Sequence, residues 1–372
     1  MASIFETIST GGTFDQSCDP ACLALPDEEC LSKTYQTVQQ RALNHLYLKD
    51  KLYQGWMSMD KVNRPPEERI AQRYIMVVIA MSFNIDNWEE KDGWLDEEMS
   101  ECEWKGIICV NSPAYTNMTE GINLQQRLME EMEDANLVKG IKLNNNGLSG
   151  FIPLELFKLR QLTWITLHNN KIGDIISPNI SHLKNLEKLW LENNEIIGTI
   201  PTEIGSINSM KSLFLGNNYL SSTIPTELGR LAGLERLSLE LNDLTGKIPT
   251  EITTCTSLKG LYIGGNYLSG TIPENIGDLE LIADFRMNSN KLNGTLPSSL
   301  SELSNLTVLY LFENDLSGVV DDSLVSSWKE LGKTYNYRNP KLFFGKKIPS
   351  SLTNDCVLQP YIRNNRCWIQ FI

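Results

Sequence analysis

Apolar residues recur through the middle of the chain with a period of 24 residues. Eight segments carry apolar residues at their start and again three and five positions later; they start at positions 138, 162, 186, 210, 234, 258, 282 and 306. Asparagine stands eight positions after every start, and six segments then have an Ile-Pro or Leu-Pro pair. Because so many columns agree at once, the pattern indicates a stacked repeat rather than chance enrichment in leucine.

Each column of this repeat has a physical role. The apolar residues at the third and fifth positions alternate with polar ones, which predicts a short strand with one buried face. The asparagine follows the strand, where its amide can satisfy backbone groups inside the coil, and proline ends the next segment. Stacking such strands predicts an α/β solenoid with a parallel sheet on its concave side.

The consensus Leu-x-x-Asn-x-Leu-x-Gly-x-Ile-Pro resembles the plant-type leucine-rich repeat, which is used in receptor-kinase ectodomains, receptor-like proteins and polygalacturonase-inhibiting proteins. The resemblance implies a right-handed superhelix with a parallel concave sheet. The second repeat departs from the consensus at Ser177-Pro178, and the eighth departs at Val319-Val320. A ninth repeat near 334–352 is degenerate, as expected of a repeat that caps an exposed core end.

The segment upstream of the repeats resembles the N-terminal cap of plant-type proteins. It contains Cys102-Glu-Trp104-Lys-Gly106-Ile-Ile-Cys109, and the resemblance implies that the two cysteines close a disulfide over the first coil. Acidic residues that precede an apolar stretch predict a helix over 66–83, and a second helix is predicted over 34–55. The order of helix, Trp, Gly-Trp and cysteine pair is closest to leucine-rich-repeat proteins of diatoms, in which a membrane anchor commonly precedes this region.

These features divide the chain into five parts. The stretch after Cys109 is longer than the plant-type pattern usually allows, which is why part of it is assigned to an inserted loop. We expect a tail at 1–33, a helical N-terminal cap with the cysteine pair at 34–111, the inserted loop at 112–136, eight repeats at 137–333, and a degenerate repeat with a C-terminal cap at 334–372.

The other cysteines do not have the spacing of a metal site, since no paired C-x2-C ligands occur and no histidine lies near them. We predict a disulfide between Cys356 and Cys367 across the C-terminal cap. Cys255 occupies a column of core leucines, so we predict a buried free thiol there. Three further cysteines remain: Cys18, Cys22 and Cys30. Because their number is odd, one of them is free or bonded to a partner.

Four acceptor sequences for N-glycosylation occur, at Asn117, Asn179, Asn293 and Asn305. Together with the cap disulfide they favour an oxidising, extracellular compartment. The first residues lack the layout of a signal peptide. We therefore expect that Met1 is an internal start or follows an anchor, with a cytosolic protein as the alternative.

Composition and charge exclude several classes of function. The chain has 33 Lys and Arg against 46 Asp and Glu, a net charge of −13, which argues against nucleic acid or an anionic membrane surface as the main partner. The longest apolar run, 74–83, is shorter than the roughly 20 residues of a membrane span. The acidic block 86–103 is interpreted as a solvated loop, because it lacks calcium-loop spacing. No motif for catalysis, metal or cofactor binding occurs, so we expect no enzyme activity, no metal and no cofactor.

The remaining chemistry lies on the strands. Residues two, four and six positions after each repeat start point toward the concave face, and six aromatic residues and an arginine stand in these columns, as is typical of binding surfaces. The high strand propensity of aromatic residues is the alternative explanation. The candidate ligand-binding residues are Trp164, His168, Trp190, Phe214, Tyr262, Arg286, Tyr310 and Phe312.

The sequence therefore predicts a non-enzymatic recognition module: a receptor-like leucine-rich-repeat ectodomain that binds a protein, peptide or glycan on its concave face. The expected location is extracellular or at the cell surface, with a membrane anchor outside the given chain and a co-receptor as a further partner. The alternative is a secreted inhibitor or adhesion protein that resembles polygalacturonase-inhibiting proteins and is complete in itself.

Overall fold

The computed structural model describes residues 37–59, 67–109 and 137–320, residue 324, and the short segments 334–336 and 341–344. These residues belong to two compact units, an N-terminal unit up to Gly173 and a C-terminal unit from Asp174 onward. Both units contain the predicted repeats, and the N-terminal unit also carries the helices.

The N-terminal unit begins with three helices, α1 (Val38–Leu48), α2 (Lys51–Ser58) and α3 (Glu67–Ser82). The last of these confirms the helix predicted over 66–83. The helix predicted over 34–55 is instead two helices, because Asp50 caps α2: its carboxylate accepts a hydrogen bond from the Tyr53 amide at 2.8 Å. A residue at this cap position has non-helical backbone angles, so α1 ends before it.

A buried ionic cluster ties these helices to the segment that follows them. Arg73 and Asp50 are both fully buried, and their side chains meet at 2.8 Å. The Arg73 guanidinium also donates to the carbonyl oxygens of Met99 at 2.7 Å and Asp96 at 2.8 Å, and it lies 4.7 Å from the ring of Trp104. Asp50 is therefore both a helix cap and the counter-ion of a buried arginine.

Glu101 shows that the prediction of a fully solvated acidic block was wrong at one position. Its side chain is fully buried, forms a salt bridge with Arg69 and accepts a hydrogen bond from Gln72 at 2.6 Å. Gln72 in turn accepts a hydrogen bond from the Val138 amide at 2.9 Å, which connects α3 to the first repeat. The carboxylate is stabilised here because Arg69 and Gln72 both donate to its Oε1 atom.

The N-terminal end of the repeat core is closed by a short strand and a cluster of tryptophans. Strand β1 (Ile107–Cys109) pairs antiparallel with β2 (Val138–Lys142), and a disulfide joins Cys109 to Cys102. Three buried indoles pack in sequence beside it, with ring centroids 4.8 Å apart for the first pair and 4.9 Å for the second: Trp88, Trp94 and Trp104.

The rest of the N-terminal unit has the two-sided geometry of a repeat. Strand β4 (Trp164–Thr166) pairs parallel with β2, and on the opposite side β3 (Ser149–Gly150) pairs parallel with β5 (Lys171–Ile172). Its 3-10 helices are Ile85–Asn87, Glu101–Glu103 and Leu154–Lys158.

In the C-terminal unit, parallel strands form the main sheet. Paired residues are one repeat apart, as Leu213 and Leu237 show, except at the last strand, where Val308 is opposite Thr334. Its strands are β6 (Lys188–Trp190), β8 (Ser212–Phe214), β10 (Arg236–Ser238), β12 (Gly260–Tyr262), β14 (Asp284–Arg286), β16 (Val308–Tyr310) and β18 (Thr334–Asn336). The predicted parallel sheet is confirmed.

Shorter strands and 3-10 helices complete each coil of this unit. The rear strands are β7 (Ile197–Thr199), β9 (Tyr219–Thr223), β11 (Asp243–Thr245), β13 (Ser269–Gly270), β15 (Lys291–Gly294), β17 (Asp315–Val320) and β19 (Lys341–Phe344). The 3-10 helices are Pro178–His182, Thr202–Ser206, Thr226–Arg230, Thr250–Thr254, Ile276–Asp278 and Ser298–Glu302.

The repeated asparagine satisfies backbone groups inside the coil, as predicted. The Asn242 amide nitrogen donates to the carbonyl oxygens of Leu215 at 3.0 Å and of Leu239 and Glu240 at 3.2 Å. Its side-chain oxygen accepts a hydrogen bond from the Leu220 amide at 2.9 Å. The same arrangement recurs in neighbouring coils, so these buried asparagines form a ladder that links each coil to the one before it.

On the rear sheet, a threonine methyl of one coil packs against a glycine of the next. A Cβ atom added to any of these glycines would lie 2.7–2.8 Å from that methyl carbon. The glycines also have backbone φ angles between 79° and 93°, a region that residues other than glycine rarely adopt. The pairs are Thr223 with Gly246, Thr271 with Gly294 and Thr295 with Gly318.

The repeat core is apolar throughout, and Leu237 and Leu239 are among many residues with no exposed surface. Cys255 is also fully buried as a free cysteine, as predicted, and its thiol donates to the Leu228 carbonyl oxygen at 3.3 Å. Burial raises the pKa of this thiol to about 11, because an apolar interior disfavours the thiolate.

Candidate recognition surface

The candidate site lies on the solvent side of the main sheet, which is called the front face here. It is formed by the side chains two, four and six positions after each repeat start, because these alternate with the buried residues of the strands. In the C-terminal unit six predicted residues are half-buried on this face: Trp190, Phe214, Tyr262, Arg286, Tyr310 and Phe312.

Trp190 and Phe214 form the first aromatic group, the stacked pair. They lie opposite each other on β6 and β8, with ring centroids 5.3 Å apart and ring planes inclined by only 10°. The Trp190 indole nitrogen donates to the Ser212 hydroxyl at 2.9 Å, which fixes the orientation of the indole. Offset stacking of this kind adds about 0.5–1.5 kcal/mol beyond the area that the rings bury.

Arg286 is the centre of the second group, the Tyr–Arg–Tyr cluster. Its guanidinium lies 5.2 Å from the ring centroid of Tyr262 and 5.3 Å from that of Tyr310, one on each neighbouring strand. Asp284 accepts two hydrogen bonds from this guanidinium, at 2.9 Å and 2.7 Å, and raises the pKa of Arg286. Phe312 extends the group, with its ring 5.8 Å from that of Tyr310.

The pairing of Asp284 with Arg286 was missed as a site feature, although the sequence contains a signal for it. Residues two apart on a strand share one face, so opposite charges at these positions can pair. Because Asp284 pairs with the guanidinium, Arg286 presents a planar, partly exposed group rather than an unpaired charge.

Two glutamates and a serine lie between the aromatic groups. Glu192 and Glu240 are half-buried, and burial raises the pKa of each; the charge of Glu240 raises the pKa of Glu192 further. Ser238, which lies between Phe214 and Tyr262 in the same register, is only 5% exposed. The front face therefore has an aromatic group on each side of a polar centre.

Two predicted residues belong to the N-terminal unit. Trp164 on β4 lies against Gly140, where an added Cβ atom would be 3.3 Å from the indole. His168 follows two residues beyond the strand, and burial together with the charge of Lys142 lowers the pKa of its imidazole. Both side chains are half-buried on that unit's own front face.

The other predicted sites are distributed away from this surface or fall outside the described residues. Asn293 and Asn305 are exposed, and Asn179 is half-buried in a 3-10 helix. Outside the described residues lie Asn117, Cys356, Cys367, the tail 1–33 and the inserted loop 112–136. Across the described ranges there is no cluster of three or more potential metal ligands, and none of the helices described is long and apolar enough to cross a membrane.

Comparison with known proteins agrees with this geometry. The Leucine Rich Repeat family matches residues 185–207, 209–231 and 257–279. Together with the strands, asparagine ladder and rear coils, this match shows a leucine-rich-repeat solenoid fold with a helical N-terminal region. No curated protein matches the chain.

Among solved structures, the chain resembles the ectodomains of plant leucine-rich-repeat receptors. One is the ectodomain of the Arabidopsis thaliana membrane receptor kinase GASSHO1/SCHENGEN3, solved in complex with CASPARIAN STRIP INTEGRITY FACTOR 2. Its sequence is 28% identical and its TM-score is 0.60, and the similarity covers 77% of this chain and 31% of that one. The Arabidopsis receptor kinase HAESA, solved with the peptide hormone IDA and the co-receptor SERK1, is 27% identical with a TM-score of 0.54, over 69% and 39%. The chain thus spans about a third of the length of these receptor chains.

A plant ice-binding protein shares the fold at 21% identity. Its TM-score is 0.57, and the similarity covers 74% of this chain and 87% of that protein. At this identity the similarity concerns the fold alone. The leucine-rich-repeat fold is a recognition scaffold and is typically non-enzymatic, which agrees with the front-face chemistry described above.

Proposed function

We propose that the chain is a recognition ectodomain that binds a peptide or an extended protein segment along its front face. The observation that carries this proposal is a row of planar groups along the sheet. The stacked pair and the Tyr–Arg–Tyr cluster stand in the same column of the repeats, with Ser238 between them. Aromatic and arginine side chains of this kind are enriched in binding hot spots.

The geometry favours an extended ligand over a compact one. Neighbouring strands are about 4.8 Å apart, so the five repeats from Trp190 to Arg286 span roughly 20 Å, which a short extended peptide can follow. The receptor ectodomains GASSHO1/SCHENGEN3 and HAESA were each solved with a ligand, IDA being a peptide hormone. A protein or glycan ligand would use the same aromatic platforms.

Binding is tested by selecting peptides from a library of random linear peptides displayed on phage and measuring the affinity of a selected peptide by calorimetry. Replacing both rings of the stacked pair by alanine should weaken binding by about 30-fold or more, since a hot-spot truncation costs about 2 kcal/mol or more. The matched control replaces Tyr219 and Tyr267, which are 58% and 49% exposed and lie outside the front-face columns. Selection of no binder, or equal loss in both variants, contradicts the proposal.

The proposed cellular setting is extracellular or at the cell surface, with an anchor outside the given chain and a co-receptor. The similarity to receptor ectodomains and the disulfide support this setting, and exposed Asn293 and Asn305 would carry N-glycans there. The order of cap motifs supports a kinship with diatom leucine-rich-repeat proteins. The second candidate is a secreted inhibitor or adhesion protein, and a membrane span in the full-length transcript would decide against it.

A further inference from the structure

The front face of the C-terminal unit has a depression at Gly216, in one of two repeats, the other being that of Gly264, that have glycine six positions after the start. Gly216 stands six positions after its repeat start, and Glu192 and Glu240 hold the same position in the repeats on either side. Because β6, β8 and β10 pair in register, the two glutamates flank Gly216, with backbones about 10 Å apart. Gly216 has no side chain to separate them.

The floor of this depression contains the hydroxyl of Ser238, which is directed into it. A Cβ atom added to Gly216 would lie 2.9 Å from the Ser238 hydroxyl oxygen and 3.2 Å from Cγ of Glu240. Ser238 is 95% buried, since only 5% of its surface is exposed, and among the described residues its hydroxyl has no hydrogen-bond partner. The hydroxyl oxygen is not itself one of the fully buried atoms that lack a partner, so a donor placed above Gly216 can reach it.

The carboxylates beside the depression lack a counter-ion. Across the described ranges, the carboxylate of neither Glu192 nor Glu240 takes part in a hydrogen bond or salt bridge. Arg286 acts on the charge of Glu240, but its guanidinium is already held by Asp284 through two hydrogen bonds. Burial raises the pKa of both glutamates, because desolvation disfavours the charged form of a carboxyl group.

An aromatic wall lies beside these polar groups. Phe214 precedes Gly216 by two residues on the same face, and its ring is stacked on Trp190. A guanidinium combines planar faces that stack on aromatic rings with five N–H donors that suit carboxylates and a hydroxyl. A calcium or magnesium ion fits less well, because such ions need more oxygen ligands than two carboxylates and a hydroxyl provide.

We propose that this depression, formed by Phe214, Gly216, Ser238, Glu192 and Glu240, binds the guanidinium of an arginine side chain in the ligand. The proposal rests on the proposed function, since it names the chemistry of one ligand side chain. It predicts that peptides recognised by the front face carry an arginine next to the residue that packs on the stacked pair.

The test measures binding of the tripeptide acetyl-Gly-Arg-Gly-amide to the full chain by ligand-observed nuclear magnetic resonance. The neutral isostere acetyl-Gly-citrulline-Gly-amide is the probe control. The double variant Glu192→Gln with Glu240→Gln should weaken binding of the arginine probe by about tenfold, the loss expected for a charge-assisted hydrogen bond. The matched control, Glu203→Gln with Glu251→Gln, removes two exposed charges at the same two-repeat spacing on the 3-10 helices and should bind as the parent does.

A third variant, Gly216→Ala, fills the depression without changing any charge. Ser238 can rotate away from the new methyl group, so the fold should persist, as the thermal unfolding midpoint will verify, and the arginine probe should bind more weakly. Equal binding of arginine and citrulline probes, no saturable binding to the parent, or full binding by the glutamine double variant overturns the proposal. A phage-selected peptide that needs the stacked pair but tolerates arginine-to-citrulline replacement would overturn this inference while leaving the proposed function intact.

Discussion

Replacing Asn242 by alanine or by aspartate separates two consequences of the asparagine ladder. Alanine removes all four hydrogen bonds of the side chain, but the three carbonyl oxygens keep other donors: Asn218 donates to Leu215, Asn266 to Leu239, and the Asn217 amide to Glu240. The Leu220 amide, whose partner is the Asn242 oxygen at 2.9 Å, is the group that loses its partner. One buried unsatisfied donor costs about 1–3 kcal/mol, so we expect a loss near 2 kcal/mol.

Aspartate keeps the acceptor for Leu220 but places a second oxygen where the amide nitrogen had been. That oxygen would face three carbonyl oxygens at 3.0–3.2 Å, the distances at which the amide nitrogen now donates to them. Asn242 is only 6% exposed. A buried charge without a partner is more unfavourable than a lost hydrogen bond. We therefore expect Asn242→Asp to be less stable than Asn242→Ala by about 2 kcal/mol or more, although aspartate has the closer shape.

The assay is urea unfolding followed by circular dichroism at neutral pH, with the midpoints of the variants compared directly. Exposed Asn293 provides the matched control, because the same two substitutions there should change stability by less than about 0.5 kcal/mol. Lowering the pH should recover part of the loss in Asn242→Asp, since a protonated carboxyl can donate to a carbonyl oxygen. An aspartate variant as stable as the alanine variant would refute the reasoning.

Three further predictions follow from the buried groups. Glu101→Ala should lower the stability of the N-terminal unit by about 3–5 kcal/mol, because it removes the buried carboxylate that pairs with Arg69; Glu101→Gln should lose less in the same urea assay. Cys255 should react with iodoacetamide only after denaturation, and a thiol that is alkylated in the native protein would contradict this. Its contribution to the free energy of unfolding should fall as the pH rises from the ordinary thiol pKa toward about 11, because the folded chain retains the thiol proton to a higher pH than the unfolded chain. Reducing the disulfide between Cys102 and Cys109 should lower the thermal midpoint, and an unchanged midpoint after confirmed reduction would show that the cap does not need it.

The repeat could be predicted from sequence because each of its columns has a local cause. Strand alternation, the asparagine and the proline act within one coil or between neighbouring coils, so period and register follow from the order of residues. The same reasoning predicted that Cys255 is buried, since the column fixes its direction. The stacked pair followed likewise, because Trp190 and Phe214 are one repeat apart in the same column.

The N-terminal unit was harder to predict, because its decisive contacts join residues far apart in sequence. Asp50 interrupts a helical pattern since it caps one helix and pairs with Arg73, and neither role is visible in local periodicity. Glu101 belongs to a block whose composition predicts solvation, yet Arg69 and Gln72 enclose it from a helix about 30 residues away. Charge patterns alone do not indicate which acid will meet a buried cation.

The contact between each rear-sheet threonine and the glycine of the next coil has a consequence for how such a protein can change over time. Each contact depends only on the coil immediately before it, so a coil that is duplicated or deleted as a whole reproduces the same junction at its new boundary. Insertions of any other length would set a side chain against the threonine methyl and strain the backbone. The length of the front face can therefore vary in whole repeats, while each coil's three front-face residues remain free to diversify independently of the packing behind them.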